Sequence, residues 1–297
     1  MKKKNLKSLE NRRRMSGLVM LIPAIIYFII FVYYPIFNLF KLSFYKYDFF
    51  SPQPEFVGLQ NYTKLLKDSK FKRAFGNTFY FAAGAVILEV GISFFLSIIL
   101  ADVEKKNKAL SDFYKIIYFI PYITPMVAIS IIWGWLLDPS ENGLINYLIS
   151  FLGISPQSWL FDPKLAMPCL IAISVWQQTG YLTLLFTAGL KDIPQEYYEA
   201  AEIDGANAWQ RTQYITFPSL RPIFELILII ATLEAFKIFT PMYVLTQGGP
   251  VGTTTTIVYA IYQQAFLFSN WGYASAESVC LFVLLFILSM VERKINR

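Results

Sequence analysis

The 297-residue sequence has no histidine, only two cysteines, and few charges: Asp, Glu, Lys and Arg together make up 15%. Each shortage removes a class of chemistry. Without histidine, the commonest general base and metal ligand at neutral pH is missing. Cys169 and Cys280 both fall inside apolar runs, so neither a disulfide framework nor a metal site is expected. No GxxxxGK[ST] segment occurs, so the chain does not cradle nucleotide phosphates by that loop. A membrane enzyme is disfavoured for want of His, Cys or paired carboxylates at one membrane level.

What remains is apolar. Hydrophobic residues are 56% and aromatics 18%, and the mean hydropathy is +0.46, so a soluble fold would need an implausibly large core. The sequence reads as an all-α polytopic membrane protein. The net charge of +6 is no nucleic-acid footprint, because the basic residues gather at the ends of apolar runs.

Six spans are expected, at about 17–40, 77–101, 114–137, 165–190, 218–245 and 272–291, each long enough for about 30 Å of hydrocarbon. A basic N-terminus, 1–16, precedes them and a short tail, 292–297, follows. The rival reading of the first run as a signal peptide is disfavoured by its length and the lack of a small-residue cleavage site. Segment 41–76, broken by Pro52, Pro54 and Gly58, reads as an outside loop with short helices, and 144–152 as a stretch lying in the interface. With alternating sides, 17 of the 26 lysines and arginines fall on one face and 8 on the other, while Lys237 lies inside the fifth span. The positive-inside rule then puts both termini in the cytoplasm.

One polar stretch, Asp192 to Pro222, is not explained by lipid or core. Asp192 with Gln195 resembles a capping box, Pro194 suits a first helical turn, and Gly205 suits a left-handed C-cap. Asn207 with Gln210 repeats the cap spacing, opening a second helix expected to stop before Pro218. On the first helix, Ile193, Tyr197, Ala200 and Ala201 share one stripe and Glu196, Glu199 and Glu202 another. From these residues alone the stretch is either a surface linker between spans or a docking element.

Ionisable residues inside spans cost a few kcal/mol each unless they face protein or water. Glu89, Glu225, Glu234, Lys237 and Glu277 qualify. Glu234 and Lys237, three apart, form either a structural lock or part of a translocation path. Gln177, Gln178 and Tyr181 carry groups suited to sugar hydroxyls, with Trp176 or Tyr181 offering a ring face, and glutamines also bridge helices.

Glu199-Ala200-Ala201, then Gly205, Ile215 and Pro218 resemble the EAA loop, E-A-A-x3-G-x9-I-x-L-P, of ABC-importer permeases, with Phe217 where the pattern has Leu. Trp176, Gly180, Tyr181, Ala206, Thr246 to Pro250, Ile261-Tyr262 and Ala265-Phe266 extend the resemblance to the carbohydrate-uptake, maltose-type branch. The resemblance implies a type I ABC-importer permease whose coupling loop, 191–217, meets a cytoplasmic ATPase through Glu199, Ala200, Ala201, Asp204 and Gly205. It implies a second homologous permease, two ATPase copies, an extracytoplasmic binding protein and a sugar substrate. No cofactor is expected in this chain, with ATP and magnesium held by the ATPase. Gln177, Gln178, Tyr181, Glu234 and Lys237 are the substrate-path candidates. Ala231, Ala235 and Ile238 stand where the maltose permease carries small polar residues, so the grip on the sugar is expected to differ or to lie mainly in the partner permease. The rival from another class is a secondary transporter or channel driven by an ion gradient, which leaves the polar loop without a purpose.

Overall fold

The computed structural model describes residue 15 and residues 18–141 and 143–295, so the basic cluster Lys2 to Arg14 and the terminal Arg297 lie outside the described residues. Among the described residues, four continuous helices are long and apolar enough to cross a membrane: α1 (Leu18–Leu42), α3 (Ser69–Lys106), α7 (Ala166–Lys191) and α12 (Trp271–Ile295). Two further candidates are bent pairs. Helices α4 (Lys108–Ile123) and α5 (Met126–Leu136) meet at 97°, and α9 (Ala208–Ser219) and α10 (Arg221–Phe236) at 70°. The shorter helices are α2 (Gln60–Lys67), α6 (Leu144–Ser150), α8 (Gln195–Ile203) and α11 (Ile257–Leu267).

The chain divides into two compact units. The first takes Met1–Leu65 and Gln264–Cys280. There a hairpin of β1 (Tyr45–Asp48) and β2 (Ser51–Phe56) pairs Tyr45 with Phe56 and Lys46 with Glu55. Segment 41–76 is thus less irregular than its prolines imply, holding a hairpin, α2 and the first turns of α3. Asn61 ties the hairpin down by donating to the Ser43 and Tyr45 carbonyls at 2.9 Å each, and the Tyr62 hydroxyl donates to Ser43 Oγ at 2.6 Å. Tyr47 packs on Trp271, and the Lys64 ammonium sits 4.8 Å from the Tyr273 ring centre.

The second unit, Leu66–Gln263 with Leu281–Arg297, is built around α3 and α7. Asp68 caps α3 by accepting from the Lys70 N–H, and Lys105 and Lys106 sit at its C-terminal end, where cations suit the helix dipole. Small residues let the backbones approach: a Cβ on Gly84 would meet Ile171 at 2.9 Å, and one on Gly180 would collide with the Tyr118 carbonyl of α4. Thr179, Thr183 and Thr187 turn their hydroxyls back onto carbonyls four residues earlier at 2.6–2.7 Å, which hides their polarity within α7. Two apolar clusters follow, one around Phe81, Leu170, Ile173 and Met242, the other around Phe94, Leu182, Phe186, Leu220 and Ile227.

The fifth expected span, 218–245, is not one helix. It turns at Leu220, is helical over Arg221–Phe236, unwinds at Lys237 and resumes as the π-helical turn Met242–Thr246. Proline explains the pattern, since Pro222 stands in the first turn of α10 and Pro241 opens the later turn, where a missing N–H costs least. In the third span Pro121 lies within α4 and Pro125 caps α5, so the break falls at Thr124. In the loop that follows α5, Asn146 is buried and makes five hydrogen bonds: its Nδ2 donates to the carbonyls of Asp138, Ser140 and Gln157, and its Oδ1 accepts from Gln157 N–H and Trp159 Nε1.

Candidate functional site

The break after α10 opens a cleft of about 260 Å³ lined by residues from α3, α5, α7 and α10. Glu89 comes from α3, Met126 from α5, Ser174, Gln177 and Gln178 from α7, and Glu234, Ala235 and Lys237 to Thr240 from the end of α10 and its unwound continuation. Four of the substrate-path candidates, Gln177, Gln178, Glu234 and Lys237, are brought together here. The unwound segment brings Lys237 and the residues after it to the cleft, while Gln177, Gln178 and Glu234 stand on intact helices.

The charges in the cleft are partly matched. Lys237 Nζ lies 2.7 Å from Glu234 Oε1, with both side chains about half exposed, so the pair faces the opening and is no buried lock. Glu89, 2% exposed, accepts a hydrogen bond from Ser174 Oγ at 3.0 Å. The arrangement offers amide, hydroxyl and carboxylate groups beside Ile238 and Phe239, a mixture suited to a polyhydroxylated solute with apolar ring faces. Ala235 and Ile238 line the same cleft, whereas Ala231 is buried in the apolar cluster around Leu182.

Tyr181 does not line this cleft. Its ring stacks on Tyr122 at 4.4 Å between centroids and 8° between planes, so one ring face is covered. Trp176 packs edge-on against Trp133 at 5.7 Å. Ser174, Met126, Phe239 and Thr240 escape a reading by residue type. The signal that could have found Ser174 is its position three residues before Gln177, one helical turn along the same face of α7.

The polar stretch after α7 folds into two helices. Asp192 does not cap α8: it is the C-terminal cap residue of α7, whose helix runs through Lys191, and Pro194 takes the N-cap position without a side-chain hydrogen bond. Gly205, at φ +79°, terminates α8 as expected. The Gly205 N–H bonds the Glu202 carbonyl at 3.1 Å and the Ala206 N–H the Ala201 carbonyl at 2.9 Å, the paired bonds of a Schellman ending. Asn207 and Gln210 form the reciprocal capping box that opens α9. That helix does not stop before Pro218. It relaxes into a π-helical turn over Thr212–Thr216, the Phe217 N–H reaches the Thr212 carbonyl, and Pro218 enters the next turn as an early residue with no bond to lose.

The surface of this element is polar and apolar by turns. Glu199, Ala200, Asp204 and Gly205 are exposed and Ala201 is half-buried. Of the expected apolar stripe only Ile193 is buried, and Tyr198 packs inward in place of Tyr197, which is 55% exposed. Ile203, Trp209 and Tyr214 are exposed as well, at 67–86%. Large apolar side chains exposed on one short element suit a partner surface.

A family model for "Binding-protein-dependent transport system inner membrane component" matches residues 93–297. The "Probable ABC transporter permease protein YurN" of Bacillus subtilis is 32% identical over 286 residues, covering 96% of this chain and 97% of that one. The "Trehalose/maltose transport system permease protein MalF" of Thermococcus litoralis is 34% identical over 289 residues, covering 97% and 96%. Among solved structures, a chain of a bacterial ABC transporter involved in the import of the acidic polysaccharide alginate superposes with a TM-score of 0.86 at 23% identity, covering 97% of both chains, a likeness of fold. With apolar helices, a broken span opening a polar cleft, and a match over more than two thirds of its length, the chain belongs to the family of binding-protein-dependent transport system inner membrane components.

Proposed function

We propose that this chain, the transmembrane permease subunit of an ATP-driven ABC importer, carries a sugar or oligosaccharide delivered by an extracytoplasmic binding protein, and that the cleft at Gln177, Gln178, Glu234 and Lys237 is its share of the path. The observation that carries this reading is the cleft itself, where amides, hydroxyls and an ion pair gather within a membrane-spanning bundle. The Thermococcus litoralis relative is named for trehalose and maltose, which supports a carbohydrate. A second, homologous permease completes the path, and two ATPase copies, holding ATP and magnesium, supply the power. The two termini and the loop 191–217 face the cytoplasm, as the distribution of basic residues supports.

In this reading the loop is the docking element. Glu199 meets a basic group of the ATPase, and closure of the ATPases moves α8 and α9, hence the spans continuous with Lys191 and Ser219. Glu199→Lys is expected to abolish uptake while the protein still inserts in the membrane, measured as radiolabelled sugar uptake beside membrane content. Normal uptake by that variant would remove the docking assignment.

A further inference from the structure

We infer that Glu104 is a positioning residue for transport: its carboxylate ties the ends of α3 and α7 to the middle of α4 as one lever, so that motion of the docking loop reaches three helices together. This rests on the docking reading above. Each carboxylate oxygen takes one ammonium. Lys115 Nζ, from α4, lies 2.7 Å from Glu104 Oε2, and Lys191 Nζ, from the last residue of α7, lies 2.7 Å from Oε1. Asp112 gives Lys115 a second, longer partner at 3.2 Å.

The setting separates this cluster from an ordinary surface ion pair. The Glu104 and Lys115 side chains are 19% and 16% exposed, so water screens their contact less than it would on an open surface, whereas Lys191 is 57% exposed and its link to α7 is the more screened of the two. The next residue reaches the loop itself. The Lys105 ammonium sits 5.8 Å from the ring centre of Tyr198 on α8, and the Tyr198 hydroxyl is 2.9 Å from Thr216 Oγ1 on α9. Consecutive side chains at the end of α3 therefore face the end of α7 and the middle of α4 on one side and α8 on the other, with α9 linked through Tyr198.

The mechanical consequence follows from position. Lys191 stands four residues before Gln195, the first residue of α8, and the three residues between them are not helical. A push on α8 would be absorbed by bending there unless the end of α7 were fixed. Glu104 lies fifteen residues along α3 from Glu89 of the cleft, about 22 Å at 1.5 Å per residue, so it acts at a distance from any solute.

The test uses the transporter purified with its native partner subunits, reconstituted in lipid, after Cys169 and Cys280 are replaced by serine. Spin labels at Ile99 and Ala188 report the separation of α3 and α7 near their clamped ends. In the parent the separation is expected to stay the same between the nucleotide-free and the vanadate-trapped ATP states. In Glu104→Gln and in Lys191→Gln it is expected to shift or broaden between the two states, while ATP hydrolysis stimulated by the binding protein falls about tenfold relative to basal hydrolysis, the scale of one charge-assisted contact. The double variant should lose no more than either single one. A separation that changes equally in parent and variants, or stimulation that survives intact, overturns the inference. Glu199→Lys, run in parallel, distinguishes the failures: if it keeps full stimulation, the docking reading falls and takes the lever with it, whereas its loss beside an unaffected Glu104→Gln overturns the lever alone.

Discussion

Single atoms decide several positions. At Gly180 an added methyl would collide with the Tyr118 carbonyl, a backbone atom that cannot swing aside, so Gly180→Ala should force α4 and α7 apart and lower the thermal stability of the purified transporter by about 1–3 kcal/mol. Gly205 is the opposite case. Nothing lies within 4 Å of the space its Cβ would fill, so size is no obstacle there, and the constraint is the left-handed backbone. Gly205→Asn should therefore keep most uptake, while Gly205→Val, which disfavours φ +79°, should lose it. Asn146 supplies five hydrogen bonds from a buried site, and Asn146→Leu leaves their carbonyls and N–H groups without that partner. A loss of about 2–4 kcal/mol, read from thermal unfolding, is expected.

Among the elements, α9 depends on one extra residue. Its π-helical turn over Thr212–Thr216 lets the helix pass Pro218 and then bend by 70° into α10. Deleting Gln213 should restore α-helical bonding and rotate everything before it by about 100° relative to α10, turning Glu199 away from the ATPase surface it is proposed to meet. Uptake should vanish with membrane insertion unchanged, measured as for Glu199→Lys, and wild-type uptake would show that this register carries no information. Local signals were legible in advance: Gly205 and the Asn207–Gln210 box act within four residues, and both ends form where their chemistry directs. Asp192 misled because an equally good local pattern lost to the continuation of α7, which already claims that residue as its end. The apolar run 218–245 concealed three segments, since hydrophobicity reports lipid contact and is blind to backbone direction. The cleft was half legible. Gln177, Gln178, Glu234 and Lys237 stand out as polar groups in apolar runs, but the partnership of Glu89 with Ser174 joins positions 85 residues apart and appears only once α3 and α7 pack.

For the molecule as a whole, dependence on ATP is the property most directly checked. Uptake should stop on ATP depletion and continue when ionophores collapse the ion gradients, measured as radiolabelled sugar uptake in intact cells. The bend at Thr124 also bears on how the protein is made. Helix α4 has 16 residues and so covers about 24 Å, short of the roughly 30 Å of hydrocarbon, and α5 leaves it at 97°. Backbone uncovered at a break is costly in hydrocarbon, so this segment is expected to settle in lipid only once protein covers it. The cover along α4 is α7, which begins some forty residues after α4 ends and whose Gly180 receives the Tyr118 backbone in the middle of α4. The third span is therefore expected to settle only once the fourth has been delivered, and the interval between them is where a slow insertion machinery should first leave this protein unfinished.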